Sequence, residues 1–337
     1  MVKVYENYPL KQHNTFGIDV KAKYFVVLPS VENVKSFLAT KQFKKKNKLI
    51  LGGGSNTIFT HDYNGIVIIP DITGIHIVKE TKKSVILKVG AGVNWDHFVD
   101  YCVNNNYVGI ENLSNIPGTV GSSPIQNIGA YGVEVKDVVH EVEAIHIETQ
   151  EKTLFKKDEC NFGYRDSIFK NELKGQYLIT NVFFKLSKEP KYITTYGNLK
   201  EEVNKLGEVS LKNIRNAIIN IRSQKLPDPV TIGNAGSFFK NPIVDYERLK
   251  SLKIKHRKVP VYKASRGRYK IPAAWLIEQC HFKGVKHGNT GTFENQPLVL
   301  VNHGNASGKE VINFAGEIVD AVKNEFGIEL EMEVNVV

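Results

Sequence analysis

The segment NAGSFFKNP, residues 234–242, sets one hydroxyl, Ser237, between a glycine and two phenylalanines, in a stretch too rich in Gly, Asn and Pro for a helix interior. A serine so placed can serve as nucleophile, proton donor or phosphate ligand, or it can simply hold a turn. The nucleophile elbow Gly-x-Ser-x-Gly is missed on both sides, because Ala235 precedes Gly236 and Phe238, Phe239 and Lys240 follow the serine. Two glycine-rich stretches point to a second kind of chemistry. One is LGGGSN, with Gly52, Gly53 and Gly54. The other is IPGTVGSSPIQNIGAYG, with Gly118, Gly121, Gly129 and Gly132. Bare loop N–H groups of this kind bind phosphate oxygens, and glycine lets the backbone come close to a ligand. A third feature is the run Arg248 to Lys270, with ten Lys or Arg and no acid. It reads as a solvated loop, then as a cationic flap over a polyphosphate, and last as a nucleic-acid surface, for which no known binding module is visible.

The elements that must carry these residues follow from periodicity. Residues 23–59 read as strand, helix and strand, then a glycine loop, with Ser30 as the helix N-cap and Val31, Val34, Phe37 and Leu38 on its apolar face. The first glycines come after the second strand, whereas a dinucleotide-binding Rossmann unit has them after the first. Nor does Gly-Lys-Ser/Thr follow, so a Walker loop is excluded. Residues 64–110 give short strands and one helix from near Asn94, with Trp95, Phe98, Val99, Cys102 and Val103 facing inward. Apolar residues spaced through the second glycine stretch (Ile116, Val120, Ile125, Ile128) favour an ordered loop. Strands resume at residues 138–149, 152–157 and 177–186, and Leu211, Ile214, Ala217, Ile218 and Ile221 mark an amphipathic helix. The change of texture predicts a boundary near residue 200. The closing IELEMEVNVV alternates, with Ile328, Leu330, Met332, Val334 and Val336 on one face. Glu329, Glu331, Glu333 and Asn335 lie on the other, which reads as a solvated face.

Composition narrows the class. A chain of 337 residues with 42% apolar content supports two or three domains. Its longest apolar runs are strand-sized, no leader-like segment opens it, and its three cysteines form no C-x-x-C pair. These features predict a cytoplasmic protein with no membrane span, no disulfide framework and no metal site. The formal charge of +10 favours anionic partners.

Taken together, LGGGSN, ENLSNIPGTVGSSPIQNIGAYGVEV, CNFGYRDSIFK, TTYGNL, KLPDP, GNAGSFFKNP and LEMEV resemble the UDP-N-acetylenolpyruvoylglucosamine reductases of peptidoglycan synthesis, in the form with a substrate-contacting tyrosine loop. The resemblance runs from NTFG at residue 14 to the last strand. It implies an α+β flavoprotein with the FAD-binding fold of the vanillyl-alcohol-oxidase (PCMH) type and a C-terminal α/β substrate-binding domain. The expected divisions are residues 1–63 and 64–200 for two FAD-binding subdomains and 201–337 for the substrate domain. It further implies NADPH as hydride donor, a UDP-sugar as substrate, no nucleic-acid partner and a monomer. FAD is expected to be non-covalent, since GGGSN lacks the histidine that tethers flavin elsewhere in the fold.

By resemblance, Ser237 is the proton donor, Arg165 of FGYRDS clamps the substrate carboxylate and steadies the enolate, and Glu333 polarises a proton relay. Gly52, Gly53, Gly54, Ser55 and Asn56, with Pro117, Gly118, Gly121, Ser122, Ser123, Asn127, Gly129 and Ala130, are the expected FAD contacts. Tyr196, Lys225 and Asn241 are the expected substrate contacts. The chain departs from the family at Met332 and Asn335, where proline and arginine are expected. A second reading on the same fold is an FAD-dependent oxidase of alcohols or sugars, which differs in the oxygen reactivity of its reduced form.

Overall fold

The strand-period stretches between residues 4 and 70 build a four-stranded sheet in the computed structural model, which describes residues 2–337. Its order is Val4–Pro9, Lys21–Leu28, Tyr63–Pro70, Lys48–Ile50, and the last three strands are parallel. Parallel neighbours need a crossover, and the helix Val31–Leu38 supplies it. Ser30 caps that helix by accepting from the Asn33 amide. Val34, Phe37 and Leu38 pack with Val26, Leu28, Ile66 and Ile68 in one apolar core.

A second, antiparallel sheet follows in the order Lys152–Lys156, Val139–His146, Tyr177–Ser187, Ser84–Gly90, Ile75–Glu80. The helix Trp95–Asn104, capped by Asn94, shares its core, with Trp95 and Phe98 against Phe184. One buried carboxylate sits in this sheet. Burial pushes the Glu143 carboxyl up, but hydrogen bonds from Asn181 and Thr180 and the charges of Lys88 and Lys152 outweigh it and hold the group below its usual range. Thr180 O takes the Ala91 amide and Ala91 O takes the Gly121 amide, both at 2.9 Å, so this sheet anchors the second glycine stretch.

The chain folds as two compact units. One holds the residues up to Tyr8, Lys21–Gly54 and Tyr63–Arg222, and the other Pro9–Val20, Ser55–Asp62 and Ser223–Val337. The helices Leu199–Lys205 and Leu211–Lys225 therefore belong, up to Arg222, to the first unit, whereas the change of texture places residue 201 onward in the C-terminal domain. Packing explains this. Leu199, Val203, Ile214, Ala217, Ile218 and Ile221 form a cluster with Tyr131 and Tyr192 of the first unit. Texture near residue 200 reports a switch from strands to helices, not a change of packing partner.

In the second unit, the antiparallel sheet Gly233–Ser237, Gln296–Asn302, Thr290–Phe293, Lys286–His287 packs with the helices Ala273–Gln279 and Gly308–Phe326. The longer helix starts in a capping box of Ser307 and Glu310 and stops at Gly327, where φ is +60°. The basic run is no loop. It folds into the helix Tyr246–Lys255 and two strands, Tyr262–Ser265 and Arg268–Lys270, which form a small sheet with Ile243–Asp245. Arg248 donates to the Phe326 and Gly327 carbonyls and so finishes the long helix.

The final segment alternates only as far as Met332. Glu329 and Glu331 are exposed, but Glu333 is 8% exposed and Val336 is 50% exposed. The reading of Glu333 as one of a solvated row is thus corrected. The cause is a change of partner: Met332 bridges antiparallel to Phe239, whereas Asn335–Val336 pairs parallel with Thr57–Ile58. Between the two, Glu333 and Val334 are buried in succession, and the expected face is lost.

All three cysteines are free. Burial, helped by the charge of Glu111, raises the Cys102 thiol, and burial with Glu159 pushes Cys160 up to about 12. Neither forms a thiolate at ordinary pH. Iodoacetamide at pH 8 is therefore expected to leave both unmodified in the native protein and to label all three in urea, as read by intact mass. Prompt native labelling of Cys160 would contradict the buried assignment.

Candidate active site

The two glycine stretches meet within the first unit. A Cβ on Gly52 would lie 2.8 Å from the Thr119 hydroxyl, and one on Gly53 would lie 2.9 Å from Gly118 Cα. Backbone meets backbone there, which is why side chains are excluded. The amides of Gly52, Gly53, Gly54 and Gly118 donate to no protein acceptor among the described residues. Those of Gly121, Ser122 and Ser123 are spent on Ala91, Thr119 and Val120, and the Ser122 and Ser123 hydroxyls on Thr119 and Val120. Of the residues expected to touch cofactor, then, Gly52–Gly54 and Gly118 offer open donors, while Gly121, Ser122 and Ser123 brace the turn. Asn127 is also a brace. Its amide donates to Gly163 O and Glu134, and its Oδ1 accepts from Lys136 N. Paired open amides beside a close backbone approach suit an anionic pyrophosphate.

Arg165 meets the second glycine stretch at Gly129 and has a left-handed φ of +55°. Its Nη2 donates to Gly129 O at 2.8 Å, and a Cβ on Gly129 would come within 3.0 Å of its Nη1. Non-glycine residues in that conformation cost energy and gather at functional sites. Tyr131, at φ +48°, meets Tyr196 edge-on at 6.0 Å, and Tyr196 is half exposed. Burial pushes the Tyr131 phenol up, and the charge and hydrogen bond of Arg222 offset part of this.

The sequence reading missed Arg222. Its Nε donates to Asn115 O, and among the described residues no carboxylate lies within ion-pair reach. Burial pushes the guanidinium down, Tyr131 and Asp96 oppose this, and the like charge of Arg165 adds to it. Asn112 was missed too. It is fully buried, donates to Tyr131 O and Ile193 O at 2.8 Å, and keeps an Oδ1 with no partner among the described residues.

The second unit positions Ser237. On its strand Asn234 pairs with Val301 and Ser237 with Val299, so three steps face two and one residue is extra. Gly236, at φ +67°, takes up that bulge, and Asn234 Oδ1 accepts the Gly236 amide at 3.0 Å. The strand start is held by Thr15, whose carbonyl takes Asn234 N and whose hydroxyl donates to Asn234 O. The Ser237 hydroxyl itself has no partner among the described residues. Glu333 N donates to Phe238 O at 2.8 Å, which brings that carboxylate's backbone beside the serine's strand. Asn56 holds the same segment, donating to Glu333 O and accepting from Asn335 N. Ser55 and Asn56 thus belong to this unit, apart from Gly52–Gly54. Asn241 accepts the Ala273 amide and starts a helix, and Lys225 is exposed in the same unit.

A cradle of open amides on an α+β scaffold suits a protein that holds a phosphate-bearing cofactor. Residues 22–149 match the family of FAD-binding domains, and residues 228–337 match the C-terminal domain of UDP-N-acetylenolpyruvoylglucosamine reductase. Proteins of that name from Flavobacterium johnsoniae and Bacteroides fragilis are 48% and 45% identical. The alignments cover all of both chains in the first case and 98% and 99% in the second. The chain belongs to the UDP-N-acetylenolpyruvoylglucosamine reductase family and binds FAD. The crystal structure of the Thermus caldophilus reductase shares the fold, with a TM-score of 0.68 at 22% identity over 100% of this chain and 98% of that one. p-Cresol methylhydroxylase shares it more distantly, with a TM-score of 0.50 at 11% identity over 96% and 84%.

Proposed function

We propose that this protein reduces the enolpyruvyl ether of UDP-N-acetylglucosamine-enolpyruvate to UDP-N-acetylmuramate at the expense of NADPH. The observation that supports this most is kinship over the whole length: the match spans both the FAD-binding part and the part that carries Ser237. Bound FAD supplies a two-electron carrier able to accept hydride from a nicotinamide and deliver it to an electron-poor alkene. Gly52–Gly54 and Gly118 are the residues suited to hold its pyrophosphate.

The remaining steps fall to side chains. Hydride reaches the terminal carbon of the enolpyruvyl group, so negative charge develops on the adjacent carbon and its carboxylate. Arg165 is suited to that carboxylate, because a planar guanidinium offers paired donors while one Nη stays on Gly129 O. The carbon is basic enough to take a proton from a hydroxyl, and Ser237 presents one that is bonded to nothing else described. Glu333 is the carboxylate assigned to replenish that proton. Tyr196, Lys225 and Asn241 are assigned to the sugar nucleotide. Lys225 suits a diphosphate oxygen, and Asn241, whose Oδ1 takes the Ala273 amide, keeps its amide donors for a ligand. We assign the protein to the cytoplasm and to the monomeric state.

The test is optical. The purified protein is expected to be yellow, to bleach with NADPH under nitrogen, and to regain its colour when the enolpyruvyl sugar is added, with product of two mass units more than substrate. Reoxidation by air alone at a comparable rate would favour an oxidase. Because no histidine adjoins Gly52–Asn56, acid precipitation is expected to leave intact FAD in the supernatant. Flavin that stays in the pellet after washing would overturn the non-covalent assignment.

A further inference from the structure

The first turn of the helix Trp95–Asn104 grips the turn that carries Pro117 and Gly118. Trp95 N donates to Gly118 O at 3.0 Å, and Trp95 Nε1 donates to Leu113 O at 2.8 Å. Asp96 Oδ1 accepts the Asn115 amide at 2.5 Å, and Asn115 is held left-handed at φ +58°. Asp96 is in turn gripped by the helix Leu211–Lys225. Arg215 donates Nη1 to Oδ1 at 2.6 Å and Nη2 to Oδ2 at 2.8 Å, while its Nε lies 3.2 Å from Asp100. Seven residues on, two turns along the same helix face, Arg222 donates Nε to the carbonyl of that same Asn115 at 3.1 Å. One peptide residue is thus held at its N–H by Asp96 and at its carbonyl by Arg222, and the Asp96–Arg215 fork closes the loop. Arg215 is 11% exposed at its side chain, so the fork is little screened by solvent.

We infer that Asp96 and Arg215 are positioning residues that preset the Asn115–Gly118 turn and the Arg222 guanidinium for FAD. The ring of bonds fixes two things the cofactor must otherwise order on arrival, the direction of the open Gly118 amide and the rotamer of a long cation. Neither residue touches the cradle of open amides. The inference rests on the reading that Gly52–Gly54 and Gly118 form the FAD cradle.

The experiment titrates FAD-free protein with FAD by quenching of flavin fluorescence and records visible circular dichroism of the bound flavin and the melting temperature of the FAD-free form. Asp96→Asn and Arg215→Gln are each expected to weaken FAD by about tenfold, the worth of one charge-assisted hydrogen bond. They are also expected to alter the flavin dichroism, with a melting temperature lowered by only a few degrees. Arg215→Lys, which keeps the charge and loses the fork, is expected to fall between them and wild type. In wild type, hydrogen exchange is expected to find the Asn115 amide protected before FAD is added. Unchanged affinity and dichroism in Asp96→Asn and Arg215→Gln, or an Asn115 amide that exchanges freely until FAD binds, would overturn the inference. So would variants that bind FAD normally once corrected for the unfolded fraction, since that is a purely structural pair. Gly53→Ala separates the two layers, because its Cβ would strike Gly118. If it binds FAD normally, the cradle reading fails. If it loses FAD while Asp96→Asn does not, only the positioning inference fails.

Discussion

Arg165→Lys is expected to lose at least ~10-fold in turnover with the enolpyruvyl sugar, on the scale of losing one preorganised donor, although the charge is kept. The reason lies in what the guanidinium does at once. One nitrogen holds Gly129 O at 2.8 Å, and the backbone is fixed at φ +55°. A guanidinium can keep that anchor and still turn a second N–H toward a carboxylate, while an ammonium is a single point that must choose. Bleaching of the flavin by NADPH is expected to stay near wild type, because the anionic carbon arises only with the sugar. The FAD content is expected to stay near one per chain. The measurement is anaerobic stopped-flow absorbance of each half-reaction. Arg165→Lys with near-normal reoxidation by the sugar would reduce this residue to a brace of the Gly129 turn.

What the residues disclosed in advance, and what they withheld, divides along a physical line. Local rules served well where one short window decides. Ser30 caps the helix it was expected to cap, the next helix begins near Asn94 as expected, and Leu211, Ile214 and Ile221 line the buried face of theirs. The glycines were legible because a missing side chain is itself the signal, and Gly53 does lie against Gly118. Arg222 was not legible. It sits on the polar side of an amphipathic helix among Lys212, Arg215 and Lys225, where a functional cation looks like any solvated one. Its spacing of seven from Arg215 was the only clue, and that clue matters only once Asp96 and Asn115 are known to lie opposite. Long-range partners also decided Glu333. Alternation predicted an outward carboxylate, and a switch from Phe239 to the strand Thr57–Ile58 turned it inward. The basic run misled for a related reason. Its charges line the surface of a helix and a small sheet whose buried apolar residues, Leu249 and Leu252, are few and easily overlooked.

The serine carries the largest expected effect. Its hydroxyl is aimed by a bulge that Gly236 permits and Asn234 fastens, and it is bonded to no described group. If it gives the proton to the substrate carbon, it has no part in the reduction of FAD by NADPH. Ser237→Ala is therefore expected to bind FAD, to bleach with NADPH at close to the normal rate, and to be reoxidised by the enolpyruvyl sugar about 10²-fold more slowly, the usual scale for a positioned acid. Ser237→Cys, which keeps a proton on a larger atom, is expected to recover part of that rate. The bulge adds a second handle. Gly236→Ala puts a side chain at φ +67° with nothing within 4 Å to strike, so its effect is conformational. It is expected to slow the same half-reaction while leaving the hydroxyl in place, by re-aiming it. The half-reactions are separable because they change the flavin absorbance in opposite directions. Equal slowing of both in Ser237→Ala would make the residue a shaper of the site, and no slowing of either would leave it an ordinary turn serine.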